Sequence, residues 1–362
     1  MGVKTFFRRF LRRHRRISHR SGLGLDAVRA AREVNRPTPE ELFDAECACE
    51  FLIVRILGND LYPRHYERQT INNLGFLLKN ESDFPSTRKL FVVNRIFCRD
   101  TEAAVLEKLA SAGAACVRIP FDHEAYREAR MSDESRISEA ELERRDNSAS
   151  RQELLQANIL GHAERIRYTM NVNAARNLAL REGKGAARWT LPLDGNSILA
   201  DEAFARLCEE VRSAPLARHV ILPFKRLERN DAFLQTRAVG QSREEPQIVF
   251  HCRSQLEFDE RFPYGLRDKV ELLLRLGVPG PWHNLPPVRS LPLTFSEASL
   301  GDFKLSEAIV MRLASGRPGL DHESAQRKRY DSRNQAIFET LRHLDKLTDV
   351  PARVGWADHR SA

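Results

Sequence analysis

No apolar run in the 362-residue chain approaches the roughly 20 residues that a membrane-spanning helix requires. No apolar stretch follows the basic start either, so residues 1–20 do not read as a secretory signal. The opening Met-Gly fails the myristoylation pattern, because Phe6 stands where Ser or Thr is wanted. No C-x-x-C pair occurs among Cys47, Cys49, Cys98, Cys116, Cys208 and Cys252. Several of these lie in apolar runs, and the reading is buried free thiols in a reducing, cytoplasmic compartment. No internal repeat is found, and no acid occurs before Leu25.

What is present is an ordinary composition for a folded body, 42% hydrophobic and 30% charged. The net charge of +8 has one location. Lys4, Arg8, Arg9, Arg12, Arg13, Arg15, Arg16 and Arg20 equal the whole excess, which leaves residues 21–362 formally neutral. A nucleic-acid-binding domain carries its basic patch on the folded body, so nucleic acid is not expected as a partner. Phe6, Phe7, Phe10 and Leu11 cluster on one side of a helix whose other sides are arginine, as in helices lying on an anionic membrane surface. A basic tail without structure fits the same residues. The corresponding expectation is a cytoplasmic protein, peripheral on the inner membrane face.

Alternation organises the body. CEFLIVRIL (Cys49–Leu57) and KLFVVNRIF (Lys89–Phe97) read as strands, as does 115–120. Helical stretches at 66–79 and 101–112 separate them, which argues for a parallel sheet with helices on its faces. Residues 124–151 are densely charged and read as an exposed excursion. A helix at 173–181, a strand at 188–193, a helix at 203–211 and strands at 219–227 and 247–254 follow. Residues 258–276 read as a turn and a helix, and 279–292 is proline-rich. Two helices, 302–315 and 323–347, are expected at the end. The expected organisation is a flexible segment 1–45, a domain 46–290 and a helical extension 291–362.

The most informative segment is NVNAARNLALREGKGAARWTLPLDGN (Asn171–Asn196). A helix of small residues bears Arg176 and Asn177, and a strand then delivers Asp194 into the turn Asp194-Gly195-Asn196. In open α/β sheets, ligands bind beyond the carboxyl ends of strands, where such an acid would stand. Read alone, Asp-Gly-Asn is a turn and no more. Arg176 alone fits a surface helix residue paired with Glu182, and Asp268 a helix-start acid favoured by the dipole.

Taken together these segments resemble family-2-like glycosyltransferases of the GT-A fold. The resemblance rests on Arg55–Asn59 at the end of the first strand, on Ala175-Arg176-Asn177, Gly185, Trp189–Leu193 and Asp194-Gly195-Asn196, then on Phe258-Asp259-Glu260-Arg261-Phe262, Gly265 and Asp268. It spans roughly residues 50–280. The resemblance implies an α/β fold with a mostly parallel sheet flanked by helices, a nucleotide-sugar donor, a carbohydrate or glycolipid acceptor, and Mn²⁺ or Mg²⁺. By it, Asp194, Arg176 and Asp268 are the catalytic residues, Asp268 being the base with Asp259 and Glu260 in reserve. Asn59, Asn94, Asn177 and Asp194 hold the donor. Asp194 and Asn196, hard oxygen ligands, hold the metal. His283, in the PGPWHN segment, adds a possible ligand from outside the resemblance.

Asn196 replaces the motif's second acid, Asn94 an acid at the second strand's end, and Arg267 the first acid of a Glu-Asp pair. Pro192 lies inside the Asp194 strand, where central strands rarely tolerate it. Two other readings follow from these departures and from the basic start: a nucleotide-sugar-binding module with altered chemistry, and a membrane-associated scaffold of a polysaccharide assembly system. A nucleotidyltransferase is disfavoured because Leu57–Tyr62 lacks a glycine- and basic-rich loop.

Overall fold

The computed structural model describes residues 49–129, 148–235, 244–285, 288, 290–296, 299–314, 317–322 and 325–348. The basic segment 1–20 and most of the charged excursion lie outside the described residues. In chain order the strands are β1 (Cys49–Leu57), β2 (Thr87–Asn94), β3 (Cys116–Ile119), β4 (Ala187–Asp194), β5 (Ser197–Ile198), β6 (His219–Leu222), β7 (Phe224–Arg226), β8 (Gln247–His251), β9 (Lys304–Leu305) and β10 (Val310–Arg312). The helices are α1 (Gln69–Asn80), α2 (Arg99–Ser111), α3 (His123–Glu128), α4 (Ser148–Gly161), α5 (Ala163–Met170), α6 (Val172–Gly183), α7 (Asp201–Ser213), α8 (Val270–Arg275), α9 (Pro318–Asp321) and α10 (Gln326–Leu347). No helix among the described residues is long and apolar enough to cross a membrane.

The main sheet has the order β3-β2-β1-β4-β8-β6-β9, and β8 is its single reversed strand. β1 is apolar on both faces because both faces are covered, as a central parallel strand requires. Leu52, Val54 and Ile56 pack on Ala175 and Ala179 of α6, while Phe51 and Ile53 enter the opposite cluster. The small residues of α6 bring that helix close to the sheet. At Gly183 an added Cβ would lie 1.8 Å from Thr190 Oγ1 in β4, so only glycine fits.

Pro192 is accommodated by geometry. It lies opposite Val54 of β1, while β8 pairs with β4 only at Trp189 and Thr190. The missing donor therefore costs no ladder bond on the β8 side.

Three expectations are corrected. The apolar run 302–315 is not helical: Lys304–Leu305 joins β6 and Val310–Arg312 joins a second sheet, β5-β10-β7. Short apolar runs carry no reliable period, and here buried pairing partners on both sides decide. The strand expected over 219–227 breaks at Pro223, and the chain passes there from the main sheet to the small one. Cys98, Cys116, Cys208 and Cys252 are free, but Cys98 and Cys116 are exposed instead of buried. Cys116 belongs to β3, an edge strand, and Cys98 lies beyond the end of β2.

Candidate functional site

The parallel strands β1, β2 and β4 end at Leu57, Asn94 and Asp194, so the loops that follow them share one edge of the sheet. The turn after Asp194 lies tight against β1. A Cβ on Gly195 would come within 2.7 Å of the Ile56 carbonyl, which glycine alone avoids.

Arg176 is buried and bridges two acids. Its Nη2 donates to Asp194 Oδ1 at 3.1 Å, and its Nη1 donates to Asp268 Oδ2 at 3.0 Å and Asn173 Oδ1 at 2.9 Å. The guanidinium also sits 5.3 Å from the Phe258 ring centre. The surface-helix reading of Arg176 therefore fails, and three catalytic residues expected from sequence come together around one cation. Burial alone would push the Asp194 carboxyl up; Arg176, Lys269 and Arg312 outweigh it and hold the group well below the usual carboxylate range.

The three asparagines expected to hold the donor are pins between loops. Asn59 donates to Arg95 O at 2.7 Å and accepts from Phe97 N–H at 3.0 Å, tying the end of β1 to that of β2. Asn94 donates to Met170 O at 2.9 Å and accepts from Asn171 Nδ2 at 2.8 Å. Asn177 donates to Phe258 O and Glu260 Oε1, both at 2.9 Å, and accepts from Phe258 N–H at 2.8 Å. Each amide uses both its oxygen and its nitrogen inside the fold, so these residues shape the rim. Among the acids held in reserve, Asp259 is engaged by exposed Arg261 through several bonds, the shortest 2.6 Å. Glu260 accepts from Asn177.

For a divalent cation, the fit is partial. Asp194 supplies one carboxylate, and Asn196 Oδ1 is a buried acceptor with no partner among the described residues. The Asn196 backbone carbonyl is already taken by Leu313 N–H at 2.8 Å. His283 does not join them. It lies in the 3₁₀ turn Pro281–Asn284 with Nε2 2.9 Å from Val278 O, and burial pushes its imidazole down. No three His, Cys, Asp or Glu side chains form a metal set among the described residues. Two hard oxygens still suit Mg²⁺, which keeps several waters and takes other ligands from phosphates.

Sequence reading missed the cations beside this site. Lys269 is buried next to Asp268, and Arg312 comes from β10, which had been expected to be helical. The effect of Arg312 reaches His65, in the loop after β1. Burial and the charges of Arg64, Arg312, Arg226 and Arg317 push its imidazole down to about 3. In keeping with a neutral ring, its Nδ1 accepts from Leu61 N–H at 3.1 Å. A folded-state value below the unfolded one leaves stability whole above about pH 6.5 and removes it as pH falls toward 3. The slope is at most about 1.4 kcal/mol per pH unit for this one proton. His65→Asn keeps an acceptor at that place, and urea midpoints between pH 6.5 and 4 should fall less steeply than in wild type. Parallel profiles would refute a neutral His65.

An open groove of about 600 Å³ lies at the opposite edge of the sheet, lined by Phe51, Phe84, Ser86, Arg188 and Phe204. It borders the start of β1, away from the carboxyl ends where the acids gather.

No protein-family model and no curated protein matches the chain. Solved structures with partial similarity include glucosyl-3-phosphoglycerate synthase from Mycobacterium tuberculosis in complex with Mg²⁺ and uridine-diphosphate. It is 14% identical, with 86% of this chain and 85% of that chain covered, at a TM-score of 0.29. Mannose-1-phosphate geranyltransferase from Thermus thermophilus is 15% identical, with 73% and 74% covered, at a TM-score of 0.25. A likeness this distant assigns neither a family nor an activity.

Proposed function

We propose that the chain is a glycosyltransferase that moves a sugar from a nucleotide-sugar donor to a hydroxyl of a carbohydrate or glycolipid acceptor, with inversion. The observation that carries this reading is Arg176 held between Asp194 and Asp268 at the carboxyl edge of a mostly parallel sheet.

Asp268 is the base. Arg176 takes its Oδ2, and the other oxygen accepts the proton of the acceptor hydroxyl as that oxygen attacks the anomeric carbon. The bond from that carbon to the diphosphate oxygen breaks, and the electron pair leaves with the diphosphate. Arg176 fixes both carboxylates in place, which keeps Asp194 ionised. Asp194 and Asn196 Oδ1 would hold a divalent cation, whose positive charge when bound opposes the negative charge of the leaving group. Asn59, Asn94 and Asn177 act as positioning residues, because they set the loops that form the cleft.

Calorimetric titration of the purified chain with nucleoside diphosphates and nucleotide-sugars, with Mg²⁺ or Mn²⁺ present, tests the donor. Heat of binding with at least one nucleotide is expected, with donor hydrolysis by wild type and none by Asp194→Ala. Absence of any nucleotide binding ends this reading. Binding with equal turnover in both proteins removes Asp194 from the chemistry.

A further inference from the structure

Beside Asp194, the small sheet gathers more buried positive charge than nearby acids neutralise. β7 and β10 run parallel with Arg226 directly opposite Arg312, so both side chains leave the same face. Phe224, two residues before Arg226, shares that face. Its ring centre lies 5.7 Å from the Arg312 guanidinium and 5.5 Å from the Lys269 ammonium. Arg64 enters from the loop after β1 and is buried, as is the Arg226 side chain. Arg329 of α10 reaches the same place, sharing Glu244 with Arg226 at 2.9 and 3.3 Å.

Among the described residues the opposing acids are fewer than the cations. Glu244 serves two arginines, Asp321 Oδ1 lies 3.5 Å from Arg226, and Asp194 and Glu245 are within charge range of Lys269. Burial and mutual repulsion push the Arg64 and Arg226 guanidinium groups down to about 10. Arg64 Nη1, Arg226 Nε and Arg312 Nε are buried donors with no partner among the described residues. A guanidinium does not shed its proton at neutral pH, and a buried charge without a partner is costly. Donors of this kind on one face of the small sheet are fitted to an anion. Planar guanidinium forks match pairs of phosphate oxygens, and the excess charge exceeds what one carboxylate offsets.

We infer that Arg64, Arg226, Arg312 and Lys269 form a binding site for a diphosphate group, one that takes pyrophosphate even with no divalent cation present. That the diphosphate belongs to the donor rests on the proposed function; the anion site rests on the cations alone.

The test is titration of the full chain with inorganic pyrophosphate in chelator, beside orthophosphate and sulfate. Pyrophosphate is expected to bind at least tenfold more tightly than either single anion, with affinity falling as salt rises. Arg312→Gln and Arg226→Gln should each weaken it tenfold or more, while Arg118→Gln, at a distant exposed pair, should not. Arg226→Gln also opens the pairs with Glu244 and Asp321 and should lower the thermal midpoint, whereas Arg312→Gln opens no such pair and should keep a single cooperative transition near that of wild type, which shows that the fold survives. No pyrophosphate binding in chelator, or unchanged binding in both variants, overturns the inference. If pyrophosphate binds there and no nucleoside diphosphate displaces it, the anion site stands and the donor reading falls. Displacement by a nucleoside diphosphate supports both.

Discussion

Arg176→Met should abolish donor turnover and destabilise the fold by about 3 kcal/mol at neutral pH, the lower end for an opened buried ion pair because Asp194 is 29% exposed. Methionine keeps much of the volume and the contact with Phe258 but removes the bridge to both carboxylates. The loss of kcat/KM should be at least 10²-fold, as when a fixed group holding the reacting geometry is removed. The pH dependence separates this from a packing defect. In the wild type, the lowered Asp194 value contributes stability that is present above the unfolded carboxylate value, near pH 4, and is lost only as pH falls further. In the variant, burial is opposed only by Lys269 and Arg312, so the folded-state value moves up. The contribution of Asp194 then shrinks as pH rises through that new value. The difference between the two proteins should therefore be largest near pH 7.5 and smaller at pH 5. Urea denaturation at both values measures it, and a pH-independent difference would sink the charge-bridge account.

Asp268→Asn should lower kcat by 10²- to 10⁴-fold while leaving donor affinity within a few-fold of wild type. The asparagine oxygen still accepts from Arg176 Nη1, so the bridge and the fold survive, and what disappears is the capacity to take a proton. Glu260→Gln and Asp259→Asn are the comparisons. Asp259 is engaged by Arg261, and Glu260 holds the Asn177 amide, so neither should approach the Asp268 effect. A large loss in Glu260→Gln with Asp268→Asn near wild type would move the base to Glu260. A KM effect without a kcat effect in Asp268→Asn would make that residue a binding group.

Much of the frame was legible because it follows from local pattern. Cys49–Leu57 is too evenly apolar to be an exposed strand, and Asn171–Gly183 is too rich in small residues to be a helix far from its sheet. The run ending in Asp194-Gly195 announces a strand tip, and the tip lies at the carboxyl edge as parallel topology demands. Those features depend on period and side-chain size, which a sequence displays directly. Arg176, Asp194 and Asp268 were expected from their places in the segments that carry the family resemblance, and the fold brings the three side chains together.

What only the tertiary structure decided is partnership. Nothing in the order of residues tells an asparagine that touches a ligand from one that pins two loops, because both are buried polar amides near strand ends. Asn59, Asn94 and Asn177 pin loops because segments 36 to 83 positions away supply their partners. Arg64, Arg226, Arg312 and Lys269 lie far apart along the chain, and a formally balanced body concealed them. Charge summed over sequence cannot show where charge is concentrated in space. Pairing of β7 with β10, which itself turned an expected helix into a strand, brings two of those arginines side by side.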